Sequence, residues 1–315
     1  MSIHSSSSSA ATLDRSLHTY ADPFARARLG FWFRQNQDGG WPVRWRRRHV
    51  WLAQLAQRAG FHRHVRAPLF FGARMWVVTG EVTSSQLLAF GYSELALTAL
   101  MLGWLRRGDV VVDVGSHFGY EALLAAHLVG PLGKIYAFEP NPAANSLARE
   151  NLSSAQQCTL LAAAAGDCEG ALPLETGALG ESAFARLVET PSTTSTIEVP
   201  VTTVDRVVES RPRAVRLIKC DAEGFEERVL RGAREVLAHD RPVVVLEVGM
   251  RSAGDAIAQR TRDLHQVVGP AYEAFDFEFD GQLRLGPAGS LDVGHANIAF
   301  VPVESSSEFL ALAGS

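Results

Sequence analysis

The chain has 315 residues, of which 47% are hydrophobic and 20% are charged, and its formal net charge is −4. This composition is typical of one or two globular domains, and the negative charge disfavours a dedicated nucleic-acid-binding protein, which would usually be strongly basic. The three cysteines lack metal-ligand spacing, and the apolar runs are shorter than the roughly 18 residues that a membrane span needs. The N-terminus also lacks the pattern of a secretory signal, so we predict a cytoplasmic protein.

The first 90 residues predict an extension that precedes the main domain. The serine run within residues 1–20 is typical of a disordered tail. Within residues 21–90, apolar residues alternate with arginines at 41–58 and predict an amphipathic helix. Residues 65–82 contain β-branched and aromatic residues between glycines, which predicts short strands or a hairpin.

Residues 91–305 alternate strand and helix patterns and predict one α/β domain. Strands that are apolar along their whole length are buried on both faces, so we expect a mostly parallel sheet covered by helices on both sides. The polar, threonine-rich residues 170–204 predict an inserted hairpin or flap. Near the end, the turn at Asp280-Gly281 favours antiparallel strands, and residues 306–315 are assigned to a C-terminal tail.

The stretch "VVVDVGSHFG" at 110–119 predicts a ligand-binding turn between a buried strand and a helix. Asp113 is followed by Gly115 and Gly119, which let the backbone turn sharply and approach a ligand. This spacing differs from the G-x-G-x-x-G of dinucleotide-binding enzymes, so a plain strand-to-helix turn is the alternative. The residues between the two glycines are further candidate cofactor contacts, namely Ser116, His117 and Phe118.

Acidic residues end the next two predicted strands. Glu139 is placed to accept hydrogen bonds from both hydroxyls of a ribose, and Pro140 and Asn141 follow it at the turn. Asp167 is placed to accept one from an adenine amino group, with a simple turn aspartate as the alternative. Three acids at strand ends fit a nucleoside without phosphates, because Asp113 would repel a pyrophosphate and attract a sulfonium and an ammonium group. We therefore predict S-adenosylmethionine (SAM) as the cofactor.

A resemblance to the FkbM family of SAM-dependent methyltransferases rests on three blocks, "GDVVVDVGSHFGYEALLAAHLVGPLGKIYAFEPNP", "LIKCDAEGFEERVLRGAREVL" and "RPVVVLEV". It covers about residues 90–250, and the more specific signature is Lys219-Cys-Asp221-Ala-Glu223-Gly224. The family usually has Ala-Asn in place of Ser116-His117, and Ile and Val in place of Cys220 and Ala222. The resemblance implies a Rossmann-like class I fold with a seven-stranded, mostly parallel sheet and an antiparallel C-terminal strand. It also implies O-methylation of a hydroxyl, often on a sugar or a polyketide-derived ring.

Asp221 and Glu223 are the candidate catalytic residues, and Asp221 is also a candidate cofactor contact. A hydroxyl must lose its proton at or before attack, so a carboxylate or a metal-bound alkoxide is required nearby. The alternative for both acids is capping of the following helix. Glu247, which ends the next predicted strand, could join Asp221 in binding a cation such as Mg²⁺. Glu94 lies where the family also tends to have a glutamate and is a candidate for closing over the methionine end of SAM.

The sequence leaves competing functions open. For an N-methyltransferase of nucleic acid, "[DN]-P-P-[YF]" should follow Cys220, where this chain has Asp221-Ala-Glu-Gly; a protein N-methyltransferase is a related alternative. A NAD-linked oxidoreductase is disfavoured by the glycine spacing, and a non-catalytic protein with the same fold is another alternative. We predict a small-molecule acceptor with a hydroxyl, on a sugar or polyketide-type natural product. We expect no nucleic-acid or membrane partner and leave a homo-oligomer open.

Overall fold

The computed structural model describes Leu29 and residues 62–176, 185–188, 196–250, 254–291 and 295–313. The predicted tail at 1–20 and the predicted amphipathic helix at 41–58 lie outside the described residues. The segment predicted as short strands or a hairpin contains two strands, β1 (His64–Pro68) and β2 (Arg74–Val78), which pair antiparallel.

The hairpin is followed by two apolar helices, α1 (Val82–Phe90) and α2 (Leu95–Trp104). Every residue of α2 from Leu97 to Trp104 is buried, so this helix packs inside the domain. Among the residues that the structure describes, no single helix is long and apolar enough to cross a membrane. Two consecutive helices reach that length and composition only when they are taken together, Thr83–Phe90 and Leu95–Trp104, and they are bent by 69° relative to each other.

The main sheet has eight strands in the described part of the chain, and their order is β13-β12-β14-β11-β10-β3-β4-β5. Strands β5, β4, β3, β10 and β11 run parallel, whereas β14 is antiparallel to both of its neighbours. The strands are β3 (Val110–Val114), β4 (Lys134–Phe138), β5 (Cys158–Leu161), β10 (Val215–Cys220), β11 (Val243–Met250), β12 (Tyr272–Phe279), β13 (Leu283–Pro287) and β14 (His295–Pro302).

This order confirms the predicted α/β fold of the class I methyltransferase type. The predicted number of seven strands was wrong by one. The chain turns back after Asp280-Gly281, and β13 pairs with β12 as an antiparallel edge strand. The antiparallel turn was predicted, but the edge strand that follows it was not counted in the sheet.

Helices cover both faces of the main sheet and form two hydrophobic cores. Val111 and Leu217 face the core that contains α2, whereas Val112 and Ile218 face the other core. Burying one such aliphatic side chain stabilises the fold by about 1.5–3 kcal/mol. The remaining helices are α3 (Tyr120–Val129), α4 (Pro142–Asn151), α5 (Val204–Val207), α6 (Glu226–Arg231), α7 (Arg234–His239), α8 (Gly254–Val268) and α9 (Ser306–Leu310), with a 3₁₀ turn at Val303–Ser305.

The polar segment at 170–204 contributes most of a second, smaller sheet. Its strands are β6 (Ala164–Ala165), β7 (Gly170–Glu175), β8 (Arg186–Leu187) and β9 (Thr196–Thr202), in the order β6-β9-β7-β8. β7 and β9 pair antiparallel over six residues, from Gly170 with Val201 to Glu175 with Thr196. Leu174 and Leu187 face the small core under this sheet and also reach the cleft described next.

Candidate functional site

A cleft that encloses about 820 Å³, part of it open to solvent, lies at the carboxyl ends of β3, β4 and β10. This is where ligands bind in open parallel sheets. Many of the residues that the sequence assigned to the site line it: Glu94, Gly115, His117, Glu139, Pro140, Asp221 and Glu223. Others are buried behind its wall and do not line it: Asp113, Ser116, Phe118, Gly119 and Asn141. Which of them bind a cofactor stays a prediction.

The glycine loop passes so close to the next strand that Gly115 is required sterically. Its φ is +74°, and a Cβ added there would lie 2.0 Å from the carbonyl oxygen of Asp221. The backbone N–H groups of Gly115 and Ser116 both donate to the carbonyl oxygen of Phe138, at 3.0 Å each. At Gly119, φ is +87° and an added Cβ would lie 3.2 Å from a methyl carbon of Leu152. The loop is therefore fixed between β4 and β10.

The Glu139 carboxylate is held in place by backbone N–H groups. Oε2 accepts a hydrogen bond from His117 N at 2.7 Å, and Oε1 accepts one from Asn141 N at 2.8 Å. A carboxylate offers about four lone-pair positions, so two remain for a ligand such as a ribose. Burial raises the pKa of Glu139 to about 7, although the electrostatic interaction with His117 and these hydrogen bonds lower it in part.

This pKa predicts that cofactor affinity falls as the pH drops through 7. The raised pKa leaves Glu139 charged above pH 7, and protonation below it removes a lone pair that the ribose needs. By calorimetry, we expect the dissociation constant of S-adenosylhomocysteine (SAH) to be roughly tenfold higher at about pH 5.5 than at about pH 8.

The matched variant for this prediction is Glu139→Gln. It should bind SAH about 1.5–3 kcal/mol more weakly at about pH 8 and show a shallower pH dependence. A Gln variant that binds as tightly as the parent would show that Glu139 does not contact the ribose.

Lys219 is the central cation of the site, with only 4% of its surface exposed. Its Nζ donates to the carbonyl oxygen of Gly115 at 2.8 Å and lies 3.6 Å from Asp113 Oδ1 and 3.8 Å from Asp221 Oδ2. Lys219 and Asp113 are register partners on β10 and β3, which explains why they meet. Burial alone would lower the pKa of Lys219, but the surrounding carboxylates outweigh it and hold the pKa well above its usual value.

The position of Lys219 gives Asp113 a partner that the sequence did not reveal. Asp113 is 1% exposed and lies behind the cleft wall, against the lysine ammonium. Burial raises the pKa of its carboxyl group, and the attraction of Lys219 only partly offsets this. Asp113 therefore lies in an ion pair with Lys219, and its contact with a bound sulfonium stays a prediction.

An acidic cluster surrounds Lys219 at this end of the cleft: Glu94, Glu121, Asp221, Glu223 and Glu247. Burial, followed by the charge of Glu94, raises the pKa of Glu121 to about 8. Burial, followed by the charge of Asp221, raises the pKa of Glu247 to about 8 as well. Glu94 adopts a left-handed backbone with φ of 38°, and its Oε2 accepts a hydrogen bond from Asn297 Nδ2 at 3.1 Å. The cluster gives this end of the cleft a negative potential that favours cations.

A third acid, Glu226, makes the hydrogen bonds that the helix-capping alternative assigned to Asp221 or Glu223. Glu226 Oε1 accepts hydrogen bonds from the backbone N–H groups of Ala222 at 3.2 Å and Gly224 at 3.0 Å. The residue at the N-cap of α6 makes no side-chain capping bond. Glu223 instead adopts a left-handed backbone with φ of 49° and lines the cleft, where burial raises its pKa. Glu226 also pairs with Arg260 of α8, so the loop is fixed from below.

Asp167 is not where its predicted role requires it. Its carboxylate accepts hydrogen bonds from Arg228 Nε at 3.1 and 3.2 Å and does not line the cleft. Partial burial would raise the pKa of Asp167, but Arg228 outweighs it and holds the pKa below its usual value. The cleft wall on that side is apolar and includes Ala165, Leu174 and Leu187. The predicted contact with an adenine amino group is therefore unsupported.

The arrangement around Glu247 does not favour the predicted metal site. Within the residues that the structure describes, no group of three or more His, Cys, Asp or Glu residues is arranged to hold a metal ion. Glu247 itself is not part of the cleft lining. A cation already stands among these acids, since the Lys219 ammonium lies 3.8 Å from Asp221.

Several residues of the site were missed by sequence reasoning. Lys219 was noted as part of a signature but given no role, and Glu121 was not singled out. The signal for Glu121 was a single acid in the apolar run "YEALLAAHLV", because an acid in a buried helix needs a reason. Asn151 was also missed: its Nδ2 donates to the carbonyl oxygens of Phe118 at 2.8 Å and Trp76 at 2.9 Å, which ties the β1–β2 hairpin to the glycine loop.

Comparison with known proteins gives one family match and several partial relatives. Residues 113–277 match the family model described as the methyltransferase FkbM domain. The chain is 32% identical over 161 residues to the 31-O-demethyl-FK506 methyltransferase FkbM of Streptomyces tacrolimicus, covering 42% of this chain and 62% of that protein. It is 48% identical over 50 residues to a protein-L-isoaspartate O-methyltransferase of Ignicoccus hospitalis, covering 16% of this chain and 24% of that protein.

Among solved structures, the chain is similar to the methyltransferase FkbM from Methylobacillus flagellatus KT, with a TM-score of 0.42 and 15% sequence identity. That similarity covers 69% of this chain and 54% of the other. The chain thus matches less than two thirds of the length of each of these three proteins.

Proposed function

Given that the chain belongs to the FkbM family of SAM-dependent methyltransferases, we propose that it transfers the methyl group of SAM to a hydroxyl of a small molecule. The observation that supports this most is a single cleft with two functional ends. Glu139 at the end of β4 offers a carboxylate for a ribose, and the acidic cluster lies at the end of β10. A cofactor with a nucleoside at one end and positive charge at the other fits that arrangement.

The chain's own residues supply positioning and proton acceptance. When bound, SAM would supply a methyl group on a sulfonium, whose thioether is the leaving group when an oxygen nucleophile attacks the methyl carbon. The glycine loop and Glu139 hold the nucleoside, so the methyl group is presented at a fixed position. SAM would supply the methyl group and leave as SAH, and Asp221 or Glu223 would accept the proton of the acceptor hydroxyl. These two carboxylates line the cleft and follow β10 directly along the chain.

Oxygen as the methylated atom is supported by the relatives. Both relatives are methyltransferases by name: one is the 31-O-demethyl-FK506 methyltransferase and the other is a protein-L-isoaspartate O-methyltransferase. A sugar or polyketide-type natural product is our proposed acceptor class. The proposal keeps the predicted partners as well: no nucleic acid, no membrane, a homo-oligomer left open, and a cytoplasmic location.

The acceptor class is tested by methyl transfer from labelled SAM. Purified protein is offered panels of glycosylated and other hydroxylated metabolites, oligonucleotides and peptides, with the Glu139→Gln variant as the cofactor-binding control. We expect label on a hydroxyl oxygen of a metabolite with the parent and little with the variant. Label on nucleic acid or on peptide nitrogen, with none on hydroxylated metabolites, would contradict the proposal.

The same assay, run in excess EDTA, tests the Mg²⁺ prediction. Because the Lys219 ammonium lies 3.8 Å from Asp221, we expect turnover to persist. Loss of turnover with unchanged SAH affinity would instead support a metal bound by Asp221 and Glu247.

A further inference from the structure

The strand order fixes the direction in which a cofactor would lie in the cleft. From one side to the other the strands run β5, β4, β3 and β10. The apolar wall with Ala164 and Ala165 follows β5 along the chain, Glu139 ends β4, and Lys219 lies on β10. A nucleoside with its ribose on Glu139 and its adenine on the apolar side therefore extends its methionyl end across Gly115 toward β10. This step rests on the proposed function.

The methionyl end of SAM has three charged groups: a sulfonium, an ammonium and a carboxylate. The ammonium needs a carboxylate partner in a buried site, because an unpaired buried charge is costly. Asp113 is excluded, since it lies behind the wall against Lys219 at 3.6 Å. Asp221 also has a cation beside it, because its Oδ2 lies 3.8 Å from the Lys219 ammonium.

Of the acids in the cluster that line the cleft, Glu121 is the one that is buried, and it belongs to no such ion pair. It is in the first turn of α3, is only 8% exposed, and lines the cleft. Its carboxylate accepts a hydrogen bond from its own backbone N–H. Among the described residues, it makes no hydrogen bond to another side chain and has no cation within ion-pair distance. A buried acid at the wall of a binding cleft with no cation beside it indicates that a ligand supplies one.

We propose that Glu121, together with the neighbouring Glu94, binds the ammonium group of SAM. Glu94 lines the same cleft, and Asn297 holds one of its oxygens at 3.1 Å. The charges of Glu94 and Glu121 repel each other, and this repulsion adds to burial in raising the pKa of Glu121 to about 8. An ammonium between the two carboxylates relieves that repulsion.

The proposal makes Glu121 a specificity-determining residue for ligands with an amino group. It is tested by calorimetry with two ligands, SAH and deaminated SAH, in which hydrogen replaces the ammonium group. The proteins are the parent, Glu121→Gln and, as the matched control, Glu227→Gln. Glu227 is half-exposed on α6 and pairs with Arg231, so this control also removes one negative charge.

We expect the parent and the Glu227→Gln protein to prefer SAH over deaminated SAH by about tenfold or more. Glu121→Gln should reduce that preference to less than about threefold, mainly by weakening the binding of SAH. The conservative variant Glu121→Asp, which keeps the charge, should retain part of the preference.

The ratio of the two affinities separates binding from a structural effect. If Glu121→Gln weakens both ligands equally, or keeps the parent's preference, the assignment of Glu121 is overturned. If the parent binds neither ligand, the proposed function fails, and this inference fails with it. Far-ultraviolet circular dichroism of each variant shows whether it is folded.

Discussion

A Gly115→Ala variant is expected to lose SAH binding and to unfold at a lower urea concentration. The added Cβ would lie 2.0 Å from the carbonyl oxygen of Asp221, a backbone atom that cannot turn aside. The φ of +74° adds a backbone cost for any residue with a side chain. Overpacking and strain together predict a loss of about 2–5 kcal/mol in the free energy of unfolding. Calorimetry with SAH and urea titration measure the two effects.

The matched control is Gly72→Ala in the turn between β1 and β2. Gly72 has a φ of +92°, and an added Cβ would have no atom within 4 Å. This variant bears the backbone cost without the clash, so it should lose only about 1–2 kcal/mol and keep its affinity for SAH. Equal effects of the two substitutions would mean that the approach of Gly115 to β10 is not what the loop requires.

Much of this fold was predictable because its signals are local. The strand Val110–Val114 is apolar except for Asp113, and the glycines after it indicate a tight turn. Glu139 was found for the same reason, since an acid at a strand end needs only the strand to be recognised. The position of β13 was not predicted because the pairing of a short edge strand depends on its partner.

The roles of charged residues were harder to predict because they depend on contacts between distant segments. Asp167 was expected at the end of the third strand, but β5 ends at Leu161 and Asp167 follows the two-residue strand β6 of the smaller sheet. Its carboxylate is bound by Arg228, which is 61 residues away. The ion pair of Asp113 was not predicted because nothing in its own segment shows that Lys219 is its register partner on β10. For Glu121 the local signal was present, since its apolar neighbours in the sequence indicate burial. The cleft beside it is visible only in the structure.

Replacing Lys219 with methionine is expected to be the most damaging single change in the site. Methionine fills a similar volume but leaves Asp113 buried without its cation, and the carbonyl oxygen of Gly115 loses a donor. Removing one partner of a buried ion pair costs about 3–5 kcal/mol of stability. The acids of the cluster would also repel one another more strongly, so binding of SAH and methyl transfer should both be lost.

The composition of the chain suggests why this position is a lysine. The sequence contains two lysines, Lys134 and Lys219, among 30 basic Lys and Arg residues. A compact ammonium fits between Asp113 and the carbonyl oxygen of Gly115, whereas a planar guanidinium needs more room. Lys219→Arg should therefore restore charge without restoring SAH affinity, and Lys134→Met, at a partly exposed lysine on β4, should leave that affinity unchanged. A Lys219→Met protein with the parent's urea midpoint and SAH affinity would contradict the central role of this ammonium.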